Sequence, residues 1–437
     1  MRQHICQCYS PCWLAIAAIL FASSVPGSAY SVLTHEQLID LSWESTIVPL
    51  LRDRFSAITA DELKSAHAYA YGGCAIQDLG YYPFGNELFS DLTHYVRTGD
   101  FVKSLFRNAH TPDELAFAIG ALSHYLGDSI GHSFAVNRSV PMNFPKLRAK
   151  YGPSVNYAQN RHAHVQTEFA FEISQISKHR EPPSAYLRSI GLKIPRTQLA
   201  TAFYETYGLQ IAQVDANYQK AVRTYGFGVR KFIPDVAYAE AVLHHRRFPA
   251  DATDPAVDTY NRRISALSLE SGWDHYRKRP GFGTYMLAGT IVVLPKLGPL
   301  KMLSIKGPDA GTELLYIRSV MLCTAGLAVR SRQLALTEAA ADQDNNEASA
   351  IVPDRDLDTG ATVKPGGYSL TDKTYERLLH ELVKTPERPV PARLKQNIFK
   401  YYADPSAPIE TKKDPKRWAA VQRSLGVLKG IPERAEP

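Results

Sequence analysis

Histidine and acidic residues recur at helical spacing in two short motifs. In HYLGDSIGH, the residues His124, Asp128 and His132 are each four positions apart. On a helix this spacing places all three side chains on one face, with a drift of about 40° per step. In HVQTE, His164 and Glu168 are again four apart. Neutral imidazoles and carboxylates in such sets are typical zinc ligands.

The motifs are stronger together than alone. A single His-x-x-x-Asp pair on a helix is usually an ordinary polar contact. Eight of the fourteen histidines, however, lie between positions 35 and 164. Burying many such groups on apolar helices without ions or partners costs several kcal/mol. Gly127 and Gly131 lower the helix propensity of the same stretch, which suits close approach of another backbone or an ion. The sequence therefore predicts a multinuclear metal centre.

The elements that position these residues have a helical pattern. From Thr34 to about Glu240, apolar residues recur mostly at three- and four-residue spacing, as in DELAFAIGALSHYLGDSIGHSF. Strand-like alternation is scarce, and no repeat or nucleotide-type Gly-rich loop is visible. An all-α fold is predicted.

Bulk composition excludes several classes of protein. The 437 residues are 45% hydrophobic and 21% charged, which is ordinary globular composition and excludes wholesale disorder and collagen-like structure. A net charge of +7 is too diffuse for a nucleic-acid footprint but is compatible with an anionic membrane surface.

The N-terminus has the pattern of a secretory signal peptide, residues 1–29, with cleavage predicted after Ala29. Its apolar run, from about Cys12 to Phe21, is roughly half of a bilayer span, although a retained membrane anchor is the alternative. The mature protein is therefore expected to be secreted or periplasmic. Only Cys74 and Cys323 would remain, so one long-range disulfide is open, and cysteine-based zinc fingers are excluded.

The ordered series THEQL, IQDLGYYPFG, DLTHY, SHYLGDSIGH and HVQTE resembles the zinc-dependent phospholipase C family, whose wider superfamily includes S1/P1-type single-strand nucleases. The resemblance covers about Tyr30 to Glu240. It implies an all-α, multi-helix phospholipase C/P1 nuclease-like domain that holds three zinc ions. Such ions lower the pKa of a bound water toward neutrality and neutralise the oxygens of a phosphodiester.

The resemblance also implies a ligand set. It assigns Asp78, His94, His124 and Asp128 to one zinc; His132, His164 and Glu168 to a second; and His35, Asp128 and the amino and carbonyl groups of the mature N-terminal Tyr30 to a third. Asp128 would bridge two ions. Asp78 is a candidate for steering or deprotonating the attacking water, or else a plain ligand. His67 and His162 are interpreted as supports of the ligands or as surface residues, and Tyr81, Tyr82 and Phe84 as cleft lining or simple packing.

The chain is expected to divide into a catalytic domain at 30–250 and a C-terminal extension at 251–437, which resembles extended bacterial members of the family. The extension is expected to be partly helical, with a polar loop at 337–365 and a loosely ordered tail from about Lys384. The apolar segment Met286–Leu303 is interrupted by prolines, so it is not a regular membrane span. It is interpreted as a lipid-contacting segment or a buried core element.

The leading functional hypothesis is a phospholipase C that hydrolyses a phospholipid, or another phosphodiester, to diacylglycerol and a phosphorylated head group. Peripheral membrane contact is expected, and no stable nucleic-acid complex. A single-strand nuclease is the first alternative, although Glu168 fits the phospholipase branch better than the nuclease branch, which typically has Asp there. A non-catalytic, metal-stabilised binding module is the second alternative.

Overall fold

The computed structural model describes residues 32–214, 218–228, 235, 238–239, 241–242, 250–277, 307–339 and 350–434. The predicted signal peptide, Tyr30 and the segment Met286–Leu303 lie outside the described residues.

Helices form nearly all of the regular structure in these ranges, which confirms the predicted all-α fold. The first half contains α1 (Val32–Ser42), α2 (Val48–Arg54), α3 (Ala60–Ile76), α4 (Glu87–Tyr95), α5 (Thr98–Arg107), α6 (Pro112–Ile130), α7 (Asn137–Asn143), α8 (Pro145–Tyr151), α9 (Arg161–Ser177), α10 (Ser184–Ile190), α11 (Arg196–Tyr207), α12 (Ile211–Val214) and α13 (Tyr218–Phe227). Two π-helical turns, Trp43–Ile47 and Gly131–Val136, and one 3-10 turn, Leu79–Tyr81, lie between them.

The second half continues with α14 (Pro255–Glu270), α15 (Trp273–Tyr276), α16 (Ala310–Ala339), α17 (Ser369–Leu382), β1 (Val390–Pro391), α18 (Ala392–Tyr401), a 3-10 turn (Glu410–Lys413), α19 (Pro415–Gly430) and β2 (Glu433–Arg434). The two short strands pair in parallel, Val390 with Glu433 and Pro391 with Arg434.

Helix α6 is the centre of the helical core and packs against α3, α5 and α16. It begins with a capping box, in which Thr111 and Glu114 satisfy each other's backbone N–H groups. Its crossing with α3 is very close, because a Cβ atom at Gly73 would lie 2.0 Å from the carbonyl oxygen of Phe117, and one at Gly120 would lie 2.2 Å from that of Ala70. This contact brings the C-terminal end of α3 beside the second half of α6.

Helix α16 is unusually long and apolar. The stretch Ala310–Leu336 has the length and composition to cross a membrane, with a mean hydropathy of 1.3, but 56% of its most apolar window is buried inside the protein. Tyr316 and Cys323 on this helix are fully buried. Cys74 and Cys323 are both buried thiols, so they do not form the disulfide that the sequence left open.

The tail after Lys384 is more ordered than the sequence predicts. Leu394, Ile398 and Tyr401 are spaced four and three apart on α18 and are buried. The ring of Tyr401 stacks on that of Tyr375 in α17 at 3.7 Å between centroids. This apolar stripe holds the tail against the body of the protein, although its basic, proline-rich sequence resembles a loose terminus.

Candidate metal centre

The eight described side chains assigned as zinc ligands come from six separate parts of the fold. They lie in the first turn of α1, after α3, near the end of α4, in the second half of α6, in the π-helical turn that follows it, and in the first half of α9: His35, Asp78, His94, His124, Asp128, His132, His164 and Glu168. None is more than 3% exposed. The fold therefore gathers the whole set in its interior.

Four of these residues surround the Asp128 carboxylate, and together with Asp128 we call them the Asp128 group: His35, Asp78, His94, His124 and Asp128. Asp128 Oδ1 lies 3.1 Å from His35 Nε2. Its Oδ2 lies 3.2 Å from both His94 Nε2 and His124 Nε2. Asp78 Oδ1 joins from the other side, 3.4 Å from His94 Nε2. Each oxygen of Asp128 thus faces a different set of imidazoles, as the predicted bridging role requires.

The absence of a side chain at Gly127 leaves space for the imidazole of His35. A Cβ atom there would lie 3.0 Å from Cε1 of His35. The His35 ring stacks on that of His124, with 4.2 Å between centroids. The close approach that the glycine suggested is therefore that of a side chain.

The other three residues, which we call the Glu168 group, are His132, His164 and Glu168. Glu168 Oε1 lies 2.8 Å from His164 Nδ1 and 3.4 Å from His132 Nε2. His132 lies in the π-helical turn Gly131–Val136 rather than on the regular α-helix. It therefore joins this group instead of continuing the face of His124 and Asp128.

The second ring nitrogen of four imidazoles donates to a fixed oxygen. His94 Nδ1 donates to Ser90 O at 2.8 Å, and His124 Nδ1 to Cys74 O at 2.7 Å. His132 Nδ1 donates to Leu357 O at 2.8 Å. His164 Nε2 donates to Asn137 Oδ1 at 2.9 Å. These bonds leave the opposite nitrogen of each ring facing a carboxylate, which is the arrangement that orients histidine ligands of metals.

The two groups differ in their protonation. In the Asp128 group, burial opposes a charge on His94, but the carboxylates of Asp128 and Asp78 outweigh it and raise the His94 pKa well above its usual value. Burial also opposes ionisation of Asp128, but the imidazoles, His124 foremost, hold its pKa well below the usual range.

Burial dominates the Glu168 group. It lowers the pKa of His132 to about 4 and depresses that of His164, with His132 as the next cause. It also raises the pKa of Glu168 well above its usual value, helped by the charge of Asp128.

The residues fit zinc. Several buried ligand atoms make no hydrogen bond within the described part of the chain: both carboxylate oxygens of Asp128, His132 Nε2, His164 Nδ1 and Glu168 Oε1. Buried polar atoms are rarely left in this state. Three triads have ligand atoms within 4.8 Å of one another: His35, His124 and Asp128; Asp78, His94 and His124; His132, His164 and Glu168. Two ligands of a tetrahedral zinc lie about 3.3 Å apart, close to most of these spacings.

Three other histidines from the crowded region lie outside these triads. His67 Nε2 pairs with Asp40 Oδ1 at 3.0 Å, and its ring stacks on Trp43. His110 and His162 are exposed. His67 is thus part of a buried polar contact, and the other two are surface residues.

The aromatic residues after Asp78 divide into two kinds. Tyr81 and Tyr82 are buried; Tyr81 donates to Asp91 at 3.1 Å, and Tyr82 packs on Tyr225. Phe84 is 52% exposed and has a positive φ of 72°. Only Phe84 of these three presents its ring to solvent.

Sequence reasoning missed the residues that support the ligands from outside the motifs. Asn137 is an unremarkable polar residue in the sequence, yet its amide bridges His164 and the carbonyl oxygen of Asp358. Leu357 contributes its peptide N–H and carbonyl groups, which no sequence motif reveals. Asp358 is buried, and burial raises its pKa to about 7. The one available signal is the polar, acidic composition of residues 337–365, which predicts a loop but not its burial.

Comparison with known proteins agrees with the geometry. A family model described as zinc dependent phospholipase C matches residues 34–217, a range that contains all eight residues. No curated protein and no solved structure gives a significant match. The match supports a phospholipase C-like phosphodiesterase activity, and therefore a hydrolase that uses zinc. The helical segment that holds all eight residues is therefore similar to the zinc-dependent phospholipase C family.

Proposed function

We propose that the protein is a phospholipase C that cleaves a phospholipid to diacylglycerol and a phosphorylated head group, with three zinc ions in the buried centre. The observation that carries the proposal is the Asp128 carboxylate, whose two oxygens face His35 on one side and His94 with His124 on the other. The Glu168 group beside it supplies a further set of ligand atoms.

Bound zinc would supply Lewis-acid charge for the phosphodiester oxygens. The chain's own part is to hold that charge in place, and the hydrogen bonds to the outer ring nitrogens do so for His94, His124, His132 and His164. Asp78 is our candidate for accepting a proton from the attacking water at its carboxylate. Burial alone would raise its pKa, but His124 and His94 keep it lowered, so the group stays ionised.

A substrate comparison tests the proposal. Purified protein is assayed on phosphatidylcholine vesicles and on single-stranded DNA, before and after chelation and again after zinc is restored. We expect zinc-dependent release of diacylglycerol. Cleavage of DNA alone would identify a nuclease, and metal binding without either activity would identify a metal-stabilised binding module.

We also propose export and an N-terminal metal ligand. His35 lies only five residues after Tyr30, and its Nε2 faces Asp128. A freed α-amino group titrates near pH 8 and can bind zinc near neutral pH, whereas a peptide nitrogen cannot. Chains that begin at Tyr30 are compared with chains that carry a few extra residues. We expect the extended chains to hold about one zinc fewer, and equal zinc content and rate would contradict the N-terminal ligand.

Peripheral membrane contact is a further part of the proposal. The exposed ring of Phe84 has the ammonium group of Lys220 3.6 Å from its centroid. An exposed aromatic ring beside a cation suits a lipid interface. Phe84→Asp should reduce the fraction of protein that co-sediments with anionic vesicles, while hydrolysis of a soluble short-chain substrate is preserved. Unchanged vesicle binding would remove Phe84 from the contact.

A further inference from the structure

A loop of the C-terminal extension lies against the metal centre. The loop, Asp354–Val363, is more than 130 residues beyond the segment that matches the family model. Within it, Asp356, Leu357 and Asp358 are at most 3% exposed. A stretch this polar is usually at the surface, so its burial beside the ligands needs a reason.

The loop contacts both metal groups through one residue. The N–H of Leu357 donates to the carbonyl oxygen of His94, a member of the Asp128 group, at 3.0 Å. The carbonyl oxygen of Leu357 accepts the hydrogen bond from Nδ1 of His132, a member of the Glu168 group, at 2.8 Å. The backbone at Leu357 thus fixes the distance between two parts of the centre that come from different helices.

Asp358 extends this support to the rest of the Glu168 group. Its carboxylate Oδ1 lies 3.7 Å from His132 Nδ1. Its carbonyl oxygen accepts from Asn137 Nδ2 at 2.8 Å, and Oδ1 of the same Asn137 accepts from His164 Nε2. Both imidazoles of the group are therefore oriented, directly or through one amide, by the Leu357–Asp358 unit.

The Asp358 side chain is itself held from two sides. Tyr95, which follows His94 at the end of α4, donates to its Oδ2 at 3.0 Å, and Tyr368 donates to the same oxygen. The loop is further tied to the start of α5, where the N–H groups of Gly99 and Asp100 donate to Asp354 Oδ1 at 3.0 and 3.1 Å. Gly360 packs so closely that a Cβ atom there would lie 2.3 Å from the carbonyl oxygen of Ser129. The loop therefore sits in a fixed position against α6 and the centre.

We propose that the loop Asp354–Val363 is a constituent of the metal centre, and that Asp358 is a positioning residue that holds His132 and His164 ready to bind metal. Outer groups that orient histidine ligands typically change metal affinity by about 10- to 100-fold. The inference rests on the metal centre of the proposed function but not on its substrate.

The test is zinc affinity, measured on the full chain by competition with a chromophoric chelator, for Asp358→Ala and for Asp356→Ala. The control is matched, because Asp356 is equally buried in the same loop but, among the described residues, its carboxylate accepts hydrogen bonds from Thr359 alone. Alanine keeps the carbonyl oxygens of Leu357 and Asp358 but removes the carboxylate that Tyr95 and Tyr368 hold, so these carbonyl oxygens lose their anchor. We therefore expect Asp358→Ala to weaken one zinc by about 10- to 100-fold and leave the others unchanged, with Asp356→Ala close to wild type. The cobalt-substituted protein should show altered ligand-field absorption only for Asp358→Ala.

A milder variant covers the case in which Asp358→Ala does not fold. Tyr368→Phe removes one donor to Asp358 without touching any ligand, and it should weaken the same zinc by a smaller factor. Equal zinc affinity in wild type and the folded Asp358 or Tyr368 variant, or equal weakening in Asp356→Ala, would overturn the inference. A wild-type chain that binds zinc but cleaves no phosphodiester would overturn only the proposed function.

Discussion

The Asp128 group and the Glu168 group are both built from imidazoles and carboxylates, yet they stabilise their buried charges in different ways. The Asp128 group has two carboxylates, and its His94 has a raised pKa. The Glu168 group has one carboxylate, whose own pKa is raised by burial, and two imidazoles with lowered pKa values. With no metal bound, the two carboxylates therefore favour a proton on His94, whereas burial favours neutral His132 and His164 and a protonated Glu168.

Substitution of Asp128 should reduce zinc content and activity more than substitution of any other ligand, because its two oxygens face two sets of imidazoles. Asp128→Asn should reduce zinc content by about two ions per chain. The loss of several kcal/mol of transition-state stabilisation corresponds to roughly a thousandfold lower phosphodiesterase rate. Elemental analysis and the vesicle assay measure both. Retention of full zinc content would show that Asp128 does not bridge.

Glu168→Gln should have a smaller effect, because in the described part of the chain the Glu168 carboxylate pairs with the imidazoles of its own group and not with those around Asp128. We expect the loss of about one zinc and roughly a hundredfold lower rate. The zinc content of Glu168→Gln is then compared with that of Asp128→Asn. If both variants lose the same number of ions, the two groups are not separate binding sites.

The pH dependence of stability should separate the groups in chelated protein. The pKa of His132 is lowered from its usual 6.5 to about 4, so the unfolded chain binds this proton first as the pH falls. Its contribution to stability is complete above pH 6.5 and is lost as the pH falls toward 4. Between pH 6.5 and 5 the loss is about 2 kcal/mol.

Urea unfolding at pH 7 and pH 5 measures this loss, with His132→Asn expected to lose less on acidification than wild type. His94→Asn is the matched variant in the other group. Because the His94 pKa is raised, its contribution is complete below pH 6.5 and declines only at higher pH. If His94→Asn lost less stability between pH 7 and pH 5 than His132→Asn, the lowered pKa would belong to His94 and not to His132.

Two histidines outside the centre should have the smallest effects on metal. His162 is exposed, so His162→Ala should leave zinc content unchanged and should change the free energy of unfolding by no more than about 0.5 kcal/mol. His67→Ala breaks the buried contact with Asp40 and should cost about 1 to 3 kcal/mol of folding stability, with zinc content unchanged. Loss of zinc in either variant would mean that the centre extends beyond the two groups.

The sequence predicted what depends on local periodicity and on side-chain type. The helical pattern gave the all-α fold, and the four-residue spacings placed His124 with Asp128 and His164 with Glu168. The π-helical turn that redirects His132 was not predicted, because Gly131 indicates a weak helix but not its alternative.

The support from Leu357 and Asp358 could not be predicted for a different reason. A backbone carbonyl is present at every residue, so nothing in the sequence marks the one that meets His132. The contact also spans 225 positions of the chain, and long-range packing of this kind is decided by the whole fold. In the tail, by contrast, the spacing of Leu394, Ile398 and Tyr401 is typical of an amphipathic helix. The prediction of a loosely ordered tail gave more weight to the proline-rich composition than to this spacing.

The close crossing of α3 and α6 makes the reactivity of one cysteine a measure of how often these two helices separate. Cys74 lies on α3 beside this crossing, its thiol is fully buried, and its carbonyl oxygen accepts the hydrogen bond from His124 of α6. Burial also raises the pKa of the thiol, so it reacts slowly even when reached. A thiol reagent can modify Cys74 only after the two helices separate. The rate of modification at Cys74, followed separately from that at Cys323, therefore reports this separation, and zinc bound by Asp78 and His124 should slow it.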